Sequence, residues 1–545
     1  MRIRIRWQIF IGVTLLFFLL FGIPFYKMGF DCDFFGVLQD ARLAPSWHHY
    51  WQNHVGGSSA PYNEMDLSTS FGSLFRPLWQ HMHLLEWYLF GRWFYGYTLM
   101  AALFYAASAG ILAVIFSYFY TAYQSIILGL LWATHPSLTP SLLSQTVLIS
   151  TACFITFLSA FCYILYFLQN KKIYYILSLV FYFWATLSYD LYIIAPIPLF
   201  LFLFLFYRPR LYEIIPFFAT TGLCLFLRFI LLGPLKSSAP EALSTLFKNS
   251  LNFVQTRTIP NIIQGLRPFW GLQESTTLIA LILTLLFSAW IVWYFFKISK
   301  DRLFILWLLL SFSASSWGIF IGNPSTRYFA LGIPFFVLLL HHLAHITFSK
   351  KVAEYFLLFV LFMGGARAFH NLSIRQEITD ARDAAMHEVV AEYPSDQYLF
   401  FIVPYSCKNQ NFLISSGLQQ GLQLFSKNDD LRVYHVIDYL FFTTELPSQG
   451  TILSEPIPGG YRFKVTENET AWFEVPPDVS RVEGSMGEVF INNRMKPWQS
   501  DDISVLLKPE FLKKEWLEKT LMFAWDPHTW KFVLLDTEHL MQSSR

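Results

Sequence analysis

The chain has 545 residues, of which 54% are hydrophobic, 19% aromatic and 14% charged, and its mean hydropathy is +0.42. Soluble domains carry roughly 25% charged residues, so this composition excludes an ordinary soluble protein and predicts a polytopic helical membrane protein. The net charge of +2 gives no reason to expect a nucleic-acid partner. The five cysteines show no paired spacing, which excludes a disulfide framework and a CxxC metal site.

Apolar runs of roughly 17 to 25 residues are long enough to cross a bilayer, and they predict about 11 transmembrane helices. The first run, from Trp7 to Phe25, has no small-residue cleavage site after it and is therefore predicted to be an uncleaved span. A re-entrant segment near Asp190 or at 122–138 would change the count. The predicted spans are 8–26, 96–119, 122–138, 148–169, 173–189, 191–207, 213–233, 277–297, 303–322, 328–347 and 353–368.

Lys and Arg cluster in alternate gaps between these predicted spans. Short cytoplasmic loops carry the excess of Lys and Arg, so these gaps are predicted to face the cytoplasm. The N-terminus is then inside, and an odd number of spans places the C-terminus outside. The two Asn-X-Ser/Thr sequons are attributed to chance, and a bacterial inner membrane is favoured over the endoplasmic reticulum. The clustered residues are Arg2, Arg4, Arg6, Lys171, Lys172, Arg208, Arg210, Lys297, Lys300, Arg302, Lys350 and Lys351.

Three predicted outer segments are too long to be simple connections. Residues 27–95 include an amphipathic stretch from Trp79 to Trp93, whose Trp and Tyr side chains suit a helix at the membrane interface. Residues 234–276 form a second large outer loop. From residue 369 the composition becomes polar: 369–392 has the pattern of a polar amphipathic helix, and Tyr398 to Val403 and Leu431 to Ile437 have the pattern of buried strands. This predicts a separate soluble α/β or α+β domain over 369–545 after a transmembrane domain over 1–368.

Acidic residues follow the first predicted span directly. Asp31 and Asp33 lie within a few residues of its end, and Asp40 follows in the same segment. One carboxylate there can take a proton from a hydroxyl acceptor, and a second can hold a cation or orient the first. The alternative is that these are solvated polar groups at the end of a span. The Phe and Trp residues around them lower the local dielectric constant, which favours the functional interpretation.

Arginines near the predicted outer ends of spans are candidates for phosphate binding. The guanidinium groups of Arg76 and Arg327, the latter next to Tyr328, offer planar donors that match phosphate oxygens. The alternative is that such a side chain only reaches the lipid head groups. Arg228 and Asp190 are stronger individual signals, because ionisable groups near hydrocarbon usually face an interior cavity. A structural Asp–Arg pair is the competing explanation.

Histidines crowd the first outer segment, and His81-Met82-His83 suggests a metal ligand pair. Positions two apart on a helix do not face each other, so this pair is a poor chelate. His135-Pro136 ends a predicted span and is expected to cap or shape that end. The sequence therefore gives no metal site based on histidine.

Five short motifs occur in chain order over residues 1–350. In this order they resemble motifs of the GT-C superfamily of polytopic membrane glycosyltransferases, most closely the protein O-mannosyltransferase-like and tetratricopeptide-associated mannosyltransferase membrane cores. Two departures stand out: Cys32 separates the two acids, and Tyr189-Asp190 stands where relatives carry Lys-Glu. The motifs are Asp31 with Asp33, Phe75-Arg76-Pro77-Leu78, Leu131-Trp132-Ala133-Thr134-His135-Pro136, Ala185-Thr186-Leu187-Ser188-Tyr189-Asp190 followed by Ala195-Pro196, and Arg327-Tyr328-Phe329.

The resemblance implies an all-α GT-C-like membrane fold. It also implies transfer of a sugar, with inversion, from a polyprenyl-phosphate donor to a hydroxyl group of a glycan, lipid or protein acceptor at the outer face. Asp31 or Asp33 would be the catalytic base. No cofactor is required, although the acidic pair is compatible with a divalent cation such as Mg²⁺ or Mn²⁺. The implied substrate-binding residues are Asp40, Arg76, His135, Asp190, Arg228, Arg327 and Tyr328.

Two other functions are compatible with the same sequence. One is a transporter or flippase of lipid-linked glycans, and the other is a non-catalytic membrane scaffold. A transporter should place ionisable groups at mid-membrane and show internal repeats or broken helices. Here the polar residues collect at the outer ends of the predicted spans, which favours the enzyme. Loss of the Lys-Glu pair at Tyr189-Asp190 is the feature that supports a scaffold.

Overall fold

The structure is a computed structural model of the chain, in which the described residues form two compact units. The first contains the described residues up to Lys27 and those from Pro77 to Ile374. The second contains Met28, Gly29 and the described residues from Arg375 onward. The structure describes residues 2–29, 77–136, 138–143, 147–188, 211–232, 330–402, 406–407, 410–411, 415–428, 430–436, 443–444, 451–466, 471–472, 480–483, 486–493, 499–500, 502–526, 529 and 531–543.

Helices make up the first unit over the residues that the structure describes. Four of these helices are long and apolar enough to cross a membrane, with spans at Arg4–Gly22, Phe94–Phe116, Ser150–Gln169 and within Lys350–Glu392. The helices are α1 (Arg2–Phe17, continued by a π-helical turn over Phe18–Gly22), α2 (Pro77–Phe90), α3 (Phe94–Phe116), α4 (Ala122–Ala133), α5 (Leu138–Leu143), α6 (Val147–Gln169), α7 (Lys172–Ser188), α8 (Leu211–Leu232), α9 (Ile333–Thr347) and α10 (Lys350–Glu392).

Small residues let the helices of this unit approach each other closely. α3 lies at the centre and contacts α1, α4 and α6. A Cβ atom at Gly110 of α3 would overlap Thr14 Oγ1 and lie 2.9 Å from the Phe10 carbonyl oxygen of α1, so only glycine fits at that crossing. Such packing is the usual basis of helix association in a bilayer, where apolar burial alone gives little preference for neighbouring helices over lipid.

Polar side chains add hydrogen bonds between neighbouring helices. Ser159 Oγ of α6 donates to the Ser178 carbonyl oxygen of α7 at 2.6 Å. The Tyr182 hydroxyl of α7 lies 2.6 Å from Thr221 Oγ1 of α8. Each such bond contributes modestly in a membrane, on average about 0.6 kcal/mol. Together they fix the register of α6, α7 and α8.

The last apolar segment continues without a break into a polar one. The sequence predicts a span over 353–368 followed by a separate polar amphipathic helix over 369–392. The structure has a single helix, α10, of 43 residues. At 1.5 Å per residue it is roughly 65 Å long, about twice the thickness of a hydrocarbon core. No proline occurs in this stretch to end the helix between the two halves.

Sheets dominate the second unit beyond α10. One mixed sheet has the order β14-β13-β1-β4, in which β1 runs parallel to both β13 and β4. A second, antiparallel sheet has the order β6-β7-β12-β10-β9. Its strand β12 alternates between buried and half-buried positions, as expected for a strand with one face on a core. The principal strands are β1 (Gln397–Ile402), β4 (Arg432–His435), β6 (Thr451–Ile457), β7 (Gly460–Thr466), β9 (Arg481–Glu483), β10 (Gly487–Asn493), β12 (Asp502–Leu507), β13 (Leu521–Asp526) and β14 (Lys531–Leu534).

The remaining elements of this unit are short. They include five two-residue strands that form two small sheets, three helices and one 3-10 turn among the described residues. The hydrophobic core joins residues of both main sheets, including Leu399 and Val505, each fully buried. The short elements are β2 (Ser406–Cys407), β3 (Gln410–Asn411), β5 (Thr443–Thr444), β8 (Ala471–Trp472), β11 (Gln499–Ser500), α11 (Ser415–Ser426), α12 (Lys514–Leu517), α13 (Glu538–Ser543) and the turn Pro509–Leu512.

Part of the predicted organisation lies outside the described residues. This applies to the spans 191–207, 277–297 and 303–322 and to the outer loop 234–276, so the number of spans stays a prediction. The predicted boundary at 368/369 also stays a prediction. The two compact units meet in sequence at Ile374 and Arg375, inside α10.

Candidate functional site

The end of α4 carries the His-Pro motif, and hydrogen bonds hold it in place. We call residues 132–136 the His-Pro end. The Tyr105 hydroxyl donates to the Ala133 carbonyl oxygen at 2.8 Å, and Thr139 Oγ1 donates to the same oxygen at 2.6 Å. The last carbonyl groups of a helix have no partner within the helix, so these two donors stabilise the point where α4 stops. His135 follows directly and is 5% exposed.

The His-Pro end is bonded to the chain just after the late Arg-Tyr motif. Trp132 is fully buried, and its Nε1 donates to the Ala330 carbonyl oxygen at 2.9 Å. Its ring packs against Tyr105 and Phe157, with centroid distances of 5.0 and 5.3 Å. Ala330 follows Arg327 by three residues, so the two Cα atoms are at most about 11 Å apart. The structure thereby brings the flank of the late Arg-Tyr motif to the His-Pro end.

α10 brings the first helix to the same place. The rings of Phe25 and Phe369 meet edge to face at a centroid distance of 4.8 Å. Two residues further along α10, Asn371 Nδ2 donates to the Pro136 carbonyl oxygen at 3.1 Å. The stretch that precedes Asp31 by six residues therefore lies beside the His-Pro end. Three motifs that are far apart in sequence thus have their flanks at one end of the helical unit.

The candidate side chains themselves are mostly beyond what the structure describes. His135 is described, and Arg228 lies on α8, although its side chain is outside the described residues. The described residues therefore give no distance between the acidic side chains and the arginine side chains. The residues outside the described part are Asp31, Asp33, Asp40, Arg76, Asp190, Arg327 and Tyr328.

A buried His–Glu pair lies on α2, which begins one residue after Arg76. His83 Nδ1 and Glu86 Oε2 are 2.7 Å apart, and both side chains are fully buried. Burial raises the pKa of the Glu86 carboxyl well above its usual value, which favours the protonated, uncharged form. Sequence reasoning paired His83 with His81 and missed Glu86. The spacing of three residues, which places two side chains on one helix face, was the available signal.

α2 also links two candidate segments. It packs against α7, which ends at Ser188, two residues before Asp190. The elements that adjoin Arg76 and Asp190 are therefore neighbours in the structure. The predicted interfacial stretch Trp79 to Trp93 largely coincides with α2, whereas its position at a membrane interface stays a prediction.

Within the described residues of the structure there is no group of three or more His, Cys, Asp or Glu side chains that could hold a metal ion. The acidic pair Asp31 and Asp33, the set predicted to be compatible with a divalent cation, lies outside those residues. No mechanistic step is therefore assigned to a metal.

No protein-family model and no curated protein matches the chain. Solved structures that are similar to it include the following two. The Archaeoglobus fulgidus oligosaccharyltransferase, in complex with Zn and sulfate, is 12% identical with a TM-score of 0.43, and the match covers 78% of this chain and 62% of that one. ArnT from Cupriavidus metallidurans, bound to undecaprenyl phosphate, is 9% identical with a TM-score of 0.41, and the match covers 78% of this chain and 85% of that one.

Both of these proteins are membrane glycosyltransferases of the GT-C superfamily, the superfamily that the sequence motifs resemble. The match spans less than two thirds of the oligosaccharyltransferase. With TM-scores below 0.5, neither similarity assigns a fold, a substrate or site residues to this chain.

Proposed function

We propose that this protein is a membrane glycosyltransferase that moves a sugar from a polyprenyl-phosphate donor to a hydroxyl group at the outer face of the membrane. The supporting observation is the meeting of three motif flanks at one end of the helical unit. Phe25 packs on Phe369, Asn371 binds the Pro136 carbonyl, and Trp132 binds the Ala330 carbonyl.

The proposed reaction is a single displacement. Asp31 or Asp33 takes the proton of the acceptor hydroxyl, whose oxygen forms a bond to the anomeric carbon of the donor sugar. The bond between that carbon and the phosphate oxygen breaks, and the polyprenyl phosphate leaves with the electron pair. Attack from the face opposite the leaving group inverts the anomeric centre.

Arginine neutralises the negative charge that develops on the departing phosphate. Arg76, Arg228 and Arg327 are the candidates, because a guanidinium stays charged and presents paired donors to phosphate oxygens. Asp190 is a candidate partner for one of these arginines. The fourth motif has Asp190 without the Lys found in relatives, so phosphate binding falls to arginine.

The other predicted substrate-binding residues take supporting roles. Tyr328 is assigned to substrate binding by its motif alone, and Asp40 is assigned to it because it follows Asp31 and Asp33 in the same segment. His135 is 5% exposed, and its burial favours a role in shaping the His-Pro end over direct contact with a substrate. This agrees with the expectation from the residues that His135 caps or shapes the end of the span, whereas the resemblance implies a substrate-binding role for it.

The outer location follows from the distribution of Lys and Arg and can be tested separately. A reporter that is active only in the cytoplasm, fused after Arg545, is expected to be silent, whereas the same reporter fused after Lys172 in a truncated chain is expected to be active. Strong activity of the fusion after Arg545 would overturn the sidedness and the outer position of the site.

Release of polyprenyl phosphate tests the proposed reaction without knowledge of the sugar or the acceptor. Purified protein in nanodiscs is incubated with polyprenyl-phosphate sugars and acceptors extracted from the source organism, and free polyprenyl phosphate is quantified by mass spectrometry. An amide cannot remove a proton, so Asp31→Asn or Asp33→Asn is expected to abolish release, with one variant far worse than the other. Asp430→Asn, at an exposed turn of the second unit, is the matched control.

One outcome would decide against these acids as the catalytic base, and another would decide against the enzyme. If both acidic variants retain near wild-type release, the acids are ordinary polar groups at the end of a span. If the wild-type protein moves the lipid-linked sugar across the nanodisc bilayer without releasing polyprenyl phosphate, the protein is a transporter of lipid-linked glycans.

A further inference from the structure

The first turn after the first helix is bonded to α10 within the second compact unit. The Gly29 N–H donates to Thr379 Oγ1 at 3.0 Å, across 350 residues of sequence. The same hydroxyl donates to the Gln376 carbonyl oxygen at 3.1 Å. Thr379 is 4% exposed. Its hydroxyl therefore has one donated bond into its own helix and one accepted bond from Gly29.

The packing around Gly29 leaves no room for a side chain. A Cβ atom at this position would lie 2.8 Å from Thr379 Cβ and 2.8 Å from Asp383 Oδ2. It would also lie 3.1 Å from Arg382 Nη2. The preceding residue, Met28, is 1% exposed. The chain is thus held against one face of α10 by a hydrogen bond and by close contact on several sides.

An ion pair holds the side chains that surround Gly29. Arg382 is fully buried, and its Nη2 lies 2.6 Å from Asp383 Oδ1. Its Nε donates to the same oxygen at 2.8 Å. Because the Arg382 side chain is fully buried, its ion pair with Asp383 restrains both side chains. The side chains that contact Gly29 on α10 are therefore held in place by this ion pair.

We propose that Thr379, supported by the Arg382–Asp383 pair, is a positioning residue for the acidic segment that follows Gly29. This inference rests on the proposed function. Asp31 and Asp33 follow Gly29 by two and four residues, so their Cα atoms lie within about 7 and 14 Å of the Gly29 Cα atom. Because Gly29 is held in place, the positions that the catalytic carboxylate can reach are restricted. Misplacement of a catalytic group by about 1 Å can lower the rate about a hundredfold.

Substitutions at Thr379 distinguish an effect on the position of the acidic segment from an effect on the stability of the fold. Thr379→Val keeps the shape but removes the acceptor of the Gly29 N–H, whereas Thr379→Ser keeps the acceptor. We expect Thr379→Val to lower kcat for polyprenyl-phosphate release about tenfold to a hundredfold, with affinity for undecaprenyl phosphate within about twofold of wild type. Thr379→Ser is expected to restore kcat to within about threefold of wild type.

A glycine pair gives a second, matched comparison. Gly29→Ala places a methyl group against Thr379 and Asp383, and it is expected to lower kcat as Thr379→Val does. Gly12→Ala is the control, because nothing lies within 4 Å of a Cβ atom at Gly12. If Thr379→Val and Gly29→Ala keep wild-type kcat, or if Thr379→Ser is as impaired as Thr379→Val, the proposal is wrong.

A spin label tests the anchor without any turnover. Cys32 lies between the two acids, Cys153, Cys162 and Cys224 are buried, and Cys407→Ser removes the remaining cysteine. A nitroxide on Cys32 is expected to move more freely in Thr379→Val and Gly29→Ala than in wild type, Thr379→Ser or Gly12→Ala. Identical spectra in all five proteins would overturn the anchor.

The two readouts distinguish failure of the anchor from failure of the proposed function. If the label responds as expected but Asp31→Asn and Asp33→Asn retain full release, the anchor stands and the proposed chemistry is wrong. If those acidic variants are inactive but neither the mobility of the label nor kcat changes in Thr379→Val, the proposed chemistry stands and the anchor is wrong.

Discussion

Replacing Trp132 by Phe removes one hydrogen bond and keeps most of the aromatic packing. The Trp132 indole N–H is bonded to the Ala330 carbonyl oxygen at 2.9 Å. A phenyl ring at position 132 retains contact with Tyr105 and Phe157, which pack against the indole in the native protein. The variant therefore isolates the link between the His-Pro end and the flank of the late Arg-Tyr motif.

The expected loss of stability follows from the burial of both partners. Trp132 and Ala330 are both fully buried. A buried acceptor without a donor costs about 1–3 kcal/mol, whereas hydrogen bonds between membrane helices have a measured maximum of about 1.7 kcal/mol. The two ranges overlap at about 1–2 kcal/mol. For a large helical unit this corresponds to a fall in Tm on the order of 2–8 °C.

Circular dichroism of detergent-purified protein measures this change, and Trp184→Phe is the matched control. Trp184 is 46% exposed on α7, so its replacement is expected to change stability by less than about 0.5 kcal/mol. Undecaprenyl phosphate binding is measured on the same samples. We expect Trp132→Phe to weaken that binding severalfold, because the bond to Ala330 holds the chain three residues from Arg327.

Two results would refute this reasoning. Equal Tm values for Trp132→Phe and Trp184→Phe would show that the indole does not hold Ala330. A lower Tm with unchanged affinity for undecaprenyl phosphate would show that the Ala330 flank is not coupled to a phosphate site.

Three further predictions concern phosphate binding and the second unit. Arg327→Ala is expected to weaken undecaprenyl phosphate binding by about 2–4 kcal/mol. Arg327→Lys is expected to weaken it by less, since Lys keeps the charge but loses the paired donors. Unchanged affinity in Arg327→Ala would leave Arg76 or Arg228 as the phosphate ligand. Leu399→Ala, at a fully buried core position, is expected to destabilise the second unit by about 2–5 kcal/mol. Leu534 is 40% exposed on β14, so Leu534→Ala is expected to change the stability of this unit by less than about 0.5 kcal/mol. Equal Tm values for the two variants would contradict the described core. The Arg462 guanidinium, whose Nε lies 2.9 Å from Asp502 Oδ1, lowers the pKa of Asp502. This pair stabilises the folded state above the unfolded pKa of about 3.9, so the Tm difference between wild type and Asp502→Asn is expected to be full at about pH 6 and to narrow as the pH falls through the folded pKa. A Tm difference between wild type and Asp502→Asn that is constant with pH would show that the ion pair between Arg462 and Asp502 does not stabilise the fold.

Local sequence patterns were sufficient to predict individual elements. The apolar run from Tyr398 to Val403 predicted a strand that the structure places at Gln397–Ile402. The run from Leu431 to Ile437 predicted the strand found at Arg432–His435. Both runs are rich in residues that favour strands and are bounded by polar segments, so short-range information was enough.

Long-range contacts could not be predicted from such patterns. β1 pairs in parallel with β13, with Tyr398 opposite Leu521, and periodicity does not identify a partner strand so distant in sequence. The bond between Gly29 and Thr379 spans 350 residues. It depends on a backbone N–H that every residue except proline carries, so no residue type marks it in the sequence. The sequence predicted the candidate site as a set of separate motifs. The structure brings together the residues that flank three of these motifs.

A cryo-EM structure of the full chain in nanodiscs with undecaprenyl phosphate would most directly locate the site. We expect the phosphate at the end of the helical unit where Phe25, Pro136 and Ala330 lie, with a guanidinium nitrogen of Arg76, Arg228 or Arg327 about 2.7–2.9 Å from a phosphate oxygen. A phosphate bound at the opposite end of the helices, or one that none of these arginines contacts, would contradict the proposed site.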